Sequence, residues 1–61
     1  MIIEFKQALS DELLYVSMRH ITHFHECEVD GKECCHLYLV GNGDFIIEAT
    51  PELLVSKINL V

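Results

Sequence analysis

Hydrophobic and polar residues alternate along most of the chain, as they do in β-strands that bury one face. In the first such segment Ile3 and Phe5 fall on one face, and Glu4 and Lys6 fall on the other. Similar short segments follow, separated by residues that are typical of turns. The pattern predicts five strands, at about residues 2–7, 13–18, 21–29, 33–40 and 45–48.

Turn residues connect these strands at short intervals. Ser10-Asp11-Glu12 supplies short polar side chains that hydrogen-bond to their own backbone. Asp30-Gly31 lies between two extended segments, and both residues tolerate the positive φ that a tight hairpin requires. Gly41-Asn42-Gly43-Asp44 marks another tight turn. Strands joined in this way are expected to form one antiparallel β-meander.

The spacing of the apolar residues changes to a helical period near the C-terminus. Thr50 can cap a helix, and Pro51 suits its first position, where no backbone donor is lost. The apolar positions that then share one helical face are Leu54, Ile58 and Val61, with Leu53 beside them. We therefore predict a helix at about residues 51–60, packed on the sheet. The expected fold class is α+β, in one domain spanning residues 1–61.

The composition is unusually apolar for so short a chain. Its 61 residues are 51% hydrophobic, with a mean hydropathy of +0.30. A domain of this size buries only about 60% of the surface of its unfolded chain. Contiguous apolar surface that stays exposed marks contacts with other chains. We expect a homo-oligomer, in its simplest form a two-fold dimer.

The net charge excludes one class of partner. The chain carries four Lys or Arg against ten Asp or Glu, which gives a formal net charge of −6. Nucleic-acid binding draws much of its affinity from basic residues that neutralise phosphates, and the basic residues here are scattered. The longest apolar runs are about four residues, far below the roughly 20 that a membrane span needs. Neither a nucleic acid nor a membrane is an expected partner.

The cysteines and the N-terminal residues bear on the cellular compartment. The chain has three cysteines, and two of them, Cys34 and Cys35, are adjacent. Disulfide frameworks of secreted domains usually use an even number. Met1-Ile2-Ile3-Glu4 lacks the charged start and the cleavage site of a signal peptide. We expect a cytoplasmic protein.

Metal-capable side chains are concentrated in the middle of the chain. They are His20, His23, His25, Cys27, Cys34, Cys35 and His36. Because side chains two apart on a strand share a face, His23, His25 and Cys27 should project together. A two-residue loop at Asp30-Gly31 would place His25 opposite His36 and Cys27 opposite Cys34. Imidazole and thiolate are natural zinc ligands, so His23, His25, Cys27 and His36 form a candidate zinc site.

Other features of the same segment weigh against zinc. It lacks the paired C-x2-C spacing of common structural sites, and three ligands on a straight strand span about 13 Å. The two-residue loop also pairs Glu28 with Glu33, which like-charge repulsion disfavours, whereas a shift by one residue would pair Glu28 with Lys32. We favour the alternative that the imidazoles face solvent and the thiols act as small hydrophobic groups. Histidines near acidic residues are also a candidate pH switch.

A set of residues along the chain resembles a known family. The set comprises Tyr15-Val16-Ser17, Ile21, Leu37-Tyr38-Leu39, the glycine turn, Ile46-Ile47-Glu48-Ala49-Thr50-Pro51-Glu52-Leu53 and Ile58. It resembles the small FlbD-like proteins of flagellar operons and related short proteins of bacteria and their phages, over about three quarters of the chain. The stretch from His20 to His36 departs from that pattern. The resemblance implies a link to motility and implies no active-site residue.

The leading interpretation is a small, acidic, non-enzymatic interaction or regulatory module that acts as a homo-oligomer. Its expected partners are itself and an unidentified protein, which would contact an unpaired strand edge or the helix. Tyr15, Phe24 and Tyr38 are candidate protein-binding anchors, because partly exposed aromatic residues often dominate interface energies. Ordinary core packing is the alternative role of each. No catalytic residue and no cofactor is predicted, and a zinc-binding domain is the alternative function.

Overall fold

The structure is a computed structural model, and it describes residues 1–59. In chain order its elements are β1 (Ile2–Lys6), β2 (Leu13–Ser17), a short 3-10 helix (Met18–His20), β3 (Ile21–Val29), β4 (Lys32–Leu39), β5 (Asp44–Ile47) and α1 (Pro51–Asn59). The predicted α+β class and the five predicted strands are confirmed. The predicted end of the helix at residue 60, and Val61 on its apolar face, lie outside the described residues.

The strands form two antiparallel sheets, where the sequence predicted a single meander. One sheet contains β1 and β2, and the other has the order β3-β4-β5. Strands β2 and β3 do not pair, because the 3-10 helix between them redirects the chain. The sheets meet instead where the end of β1 lies beside β5. There the Ala8 amide donates to the Ile46 carbonyl and the Glu48 amide donates to the Lys6 carbonyl, each at 2.8 Å.

One face of each sheet packs with the helix into a common core. The core comprises Ile3, Phe5, Val16, Cys35, Leu37, Ile47, Ala49 and Leu54. Helix α1 begins as predicted, because the Thr50 hydroxyl accepts a hydrogen bond from the Leu53 amide at 3.2 Å. Leu54 is the helix residue that the core buries, and Ile58 packs against the same cluster. Leu53, predicted beside this face, is 46% exposed.

The turn at Asp30-Gly31 sets the register of the longest hairpin. Both residues have positive φ, at 50° and 79°, as a two-residue hairpin turn requires. Val29 consequently pairs with Lys32, and Glu28 opposes Glu33. The alternative register, with Glu28 opposite Lys32, is therefore wrong. The cost of placing two glutamates across from each other is smaller than the cost of moving every side chain of β3 to the opposite face.

Within residues 1–59, no helix combines the length and the apolar character that crossing a membrane would need.

Candidate functional site

The β3-β4-β5 sheet carries most of the histidines on the face opposite the core. We call this surface the histidine face, and its members are His23, His25, Cys27, Cys34, His36, Tyr38 and Asp44. The strand register places His25 opposite His36 and Cys27 opposite Cys34. The prediction that these side chains share a face is thus confirmed. Phe24 lies on the other face and packs against the core.

Tyr38 lies at the centre of the histidine face, between two imidazole rings. The ring of His23 stacks on it with centroids 4.4 Å apart and planes 9° apart, and the ring of His36 stacks at 4.4 Å and 21°. The stacking of His23 on Tyr38 follows from a register shift between Ile21 and His23, which places His23 opposite Tyr38. Beside the stack, His23, Tyr38, Val40 and Asp44 help to line an open depression of about 590 Å3.

A chain of hydrogen bonds crosses the three strands on this face. His25 Nδ1 lies 3.1 Å from the Glu26 carbonyl oxygen, and His25 Nε2 lies 3.1 Å from the Tyr38 hydroxyl. The same hydroxyl lies 3.2 Å from His36 Nδ1. His36 Nε2 lies 2.7 Å from Asp44 Oδ2. The chain therefore links β3, β4 and β5 through their side chains.

The groups at the two ends of this chain set the direction of its outer hydrogen bonds. A carbonyl and a carboxylate only accept, so His25 Nδ1–H and His36 Nε2–H must both donate. The Tyr38 hydroxyl has one hydrogen, so it donates to only one of the two inner nitrogens at a time. The bond between His36 Nε2 and Asp44 Oδ2, at 2.7 Å, is the shortest of the chain.

The structure does not bring the predicted zinc ligands into a metal centre. Among the described residues, no group of three or more His, Cys, Asp or Glu side chains is arranged to hold a metal ion. His25 and His36 bind the Tyr38 hydroxyl between them, and Cys34 is 1% exposed. Zinc binding at His23, His25, Cys27 and His36 stays a prediction from the sequence.

The two buried thiols are poor nucleophiles. Burial raises the pKa of the Cys35 thiol from its ordinary value of 9.0 to about 11. Burial also raises the pKa of the Cys34 thiol, and the neighbouring Cys27 adds to the effect. Each thiol therefore keeps its proton at neutral pH. Cys35 acts as a small hydrophobic residue of the core, as one interpretation of the sequence predicted.

The three aromatic residues predicted as protein-binding anchors lie in different environments. Tyr15, on the outward face of the β1-β2 sheet, is 61% exposed. Phe24 is half-buried against the core, and Tyr38 is half-buried in the imidazole stack. Core packing explains Phe24, while Tyr15 remains available for contact with another chain.

Asp44 of the histidine face and the neighbouring Thr22 make hydrogen bonds there that the sequence did not predict. The Asp44 carboxylate pairs with His36, and the Thr22 hydroxyl donates to the Tyr38 carbonyl at 3.1 Å. Asp44 could have been found by extending the register through the glycine turn, because it pairs with Tyr38. Thr22 could not, because its position depends on the irregular register at the start of β3.

Comparison with known proteins identifies no family for this chain. No protein-family model matches the chain, and no curated protein and no solved structure matches it either.

Proposed function

We propose that this chain is a small, non-enzymatic protein-interaction module that acts as a homo-oligomer. The observation that carries the proposal is the amount of large apolar side chain left on the surface. Among residues 1–59, eight such residues are 45% to 72% exposed: Met1, Ile2, Leu9, Leu13, Tyr15, Val40, Leu53 and Val55. The same part of the chain buries nine hydrophobic residues, eight of them in the common core, so the exposed set is nearly as large as the buried one.

Contact with another chain is the physical reason for keeping such a surface. Each large apolar side chain gains roughly 1.5–3 kcal/mol when it is fully buried. Single exposed residues are ordinary, but Ile2, Leu13 and Tyr15 lie on one face of the same small sheet. A subunit interface that covers them would recover part of this free energy. It would also stabilise a domain that is near the lower size limit for independent folding.

The setting that we propose is the cytoplasm of a bacterium, or of a host cell in the case of a phage protein. Three free thiols, two of them buried, suit a reducing compartment. The resemblance to FlbD-like proteins supports a bacterial or phage origin, and the net charge of −6 suits a basic protein as the further partner.

Sedimentation velocity over a wide range of protein concentration tests the proposal. We expect the mass to rise from that of the 7.0 kDa chain to a whole multiple of it as the concentration increases. Addition of a metal chelator should leave this behaviour unchanged. A chain that remains a monomer at millimolar concentration would contradict self-association.

A further inference from the structure

Two strand edges are unpaired within the part of the chain that the structure describes. Strand β2 pairs only with β1, and β3 pairs only with β4. The outer edge of β1 is partly covered, because its Glu4 and Lys6 carbonyls accept hydrogen bonds from Lys57 Nζ and the Glu48 amide. The edge of β5 is bonded to the segment that follows β1. Among residues 1–59, only β2 and β3 therefore keep an outer edge to which no other backbone segment is bonded.

The edge of β3 is protected against pairing with a second copy. It carries Glu26 and Glu28, and charged side chains on an edge discourage the approach of another strand. By alternation from the Val29–Lys32 pair, the Glu26 carbonyl points away from β4. His25 Nδ1 lies 3.1 Å from that oxygen, so this acceptor is already used. Two acidic chains that met along β3 would also place their glutamates close together.

The edge of β2 has no such protection. Its sequence, Leu13-Leu14-Tyr15-Val16-Ser17, contains no charged residue in a chain of net charge −6. Leu13 and Tyr15 are 48% and 61% exposed. On the adjoining strand, Glu4 and Lys6 point to the same face as Tyr15 and carry opposite charges, and Lys6 Nζ also lies 3.8 Å from Glu48 Oε2. Because β2 itself carries no charge, two acidic copies that meet along it bring no like charges of their edge strands together.

We infer that β2 pairs with β2 of a second copy, in antiparallel orientation about a two-fold axis at Tyr15. The inference deepens the proposed function and rests on it. Such pairing places Tyr15 opposite the partner's Tyr15 and Leu13 opposite the partner's Ser17, and it joins the two hairpins into a four-stranded sheet. Cross-strand aromatic pairs stabilise antiparallel sheets, and the two-fold axis makes one patch complementary to itself.

Charge substitutions at position 15 test the pairing directly. Tyr15→Glu and Tyr15→Lys each place like charges across the axis, and each should weaken the dimer about tenfold or more. An equimolar mixture of the two variants should restore it as a heterodimer, because opposite charges then meet. Ser56→Glu, at an exposed position of α1 outside the exposed apolar set, is the matched control and should leave the dimer unchanged. Sedimentation velocity measures association, and circular dichroism verifies the fold of each variant.

The outcomes separate this inference from the proposed function. If the wild-type chain stays monomeric, the proposed self-association fails and the pairing fails with it. If the wild type dimerises but both Tyr15 variants dimerise equally well, the pairing through β2 is overturned and the proposed function stands. If the mixture of the two charged variants does not dimerise, the pairing is also overturned, because position 15 of one chain would then not lie opposite position 15 of the other.

Discussion

Tyr38 joins three strands through its side chain because its ring and its hydroxyl act separately. The ring stacks between His23 and His36, and the hydroxyl bridges His25 and His36. The sequence predicted that these histidines share a face, since alternation along a strand depends on local sequence alone. It could not predict the bridging hydroxyl, because the choice of side-chain rotamer depends on neighbours from three strands.

Tyr38→Phe isolates the contribution of that hydroxyl. The stacked ring remains, but His25 and His36 lose their common partner, so we expect the free energy of unfolding to fall by about 1 kcal/mol. Tyr15→Phe removes the same group from an exposed position and should change stability by less than about 0.5 kcal/mol. Urea unfolding at one protein concentration measures both. Equal losses from the two variants would show that the bridge adds no stability.

The raised pKa of Cys35 leads us to expect that the folded chain loses stability in alkaline solution. Burial raises its pKa from 9.0 to about 11, so the folded chain holds this proton more tightly than the unfolded chain. The resulting stability is complete below pH 9 and is lost as the pH rises from 9 to 11, by about 2–3 kcal/mol. When both proteins are unfolded with urea at each pH, the free energy of unfolding of Cys35→Ala should not show this decrease between pH 9 and 11. Parallel pH profiles for the two proteins would contradict the account.

At the scale of elements, tight turns are the features that the sequence predicts best. Asp30-Gly31 indicated a two-residue hairpin, and that turn fixed the pairing of residues 23–29 with residues 32–38. The Thr50-Pro51 pair likewise predicted where α1 begins. These features are local, since they depend on the dihedral angles and hydrogen bonds of a few consecutive residues. The division into two sheets depends on Ala8 and Glu48 meeting distant partners, which local sequence does not encode.

Substitution of Gly31 tests the turn. Its φ of +79° is strained for any residue with a Cβ, although the space around it is open, so Gly31→Ala should cost about 1–2 kcal/mol. Gly43 lacks a positive φ, and a Cβ there would lie at an ordinary 3.8 Å from Leu39 Cβ. Gly43→Ala should therefore be neutral or slightly stabilising. Thermal unfolding of the two variants measures the contrast, and equal melting temperatures would contradict this description of the turn.

Adjacent leucines of α1 test how the helix is held. Leu54 is fully buried in the core and Leu53 is 46% exposed, although both belong to the first turns of the same helix. Leu54→Ala should cost about 2–5 kcal/mol, because it leaves a cavity between the helix and the sheets. Leu53→Ala should cost less than about 1 kcal/mol. Urea unfolding gives both values, and a similar loss at the two positions would show that the helix packs differently.

At the scale of the whole molecule, the two sheets differ in what they expose. The β3-β4-β5 sheet presents a polar face of hydrogen-bonded histidines and an edge that carries glutamates. The β1-β2 sheet presents apolar side chains and an uncharged edge. The composition predicted that some apolar surface would stay exposed on the folded chain. It could not locate that surface, because the position depends on which strand edges the fold leaves unpaired. Because the two sheets differ in this way, we assign the proposed self-association to the β1-β2 sheet.

Isotope-filtered NMR on a mixture of labelled and unlabelled chains tests that assignment most directly. In such a sample, contacts between the two chains are detected separately from contacts within one chain. If β2 pairs with β2 of a second copy, we expect contacts between chains that join Leu13 of one protomer to Ser17 of the other and Tyr15 to Tyr15. Contacts confined to β3, to the histidine face or to α1 in a sample of confirmed dimer would contradict it.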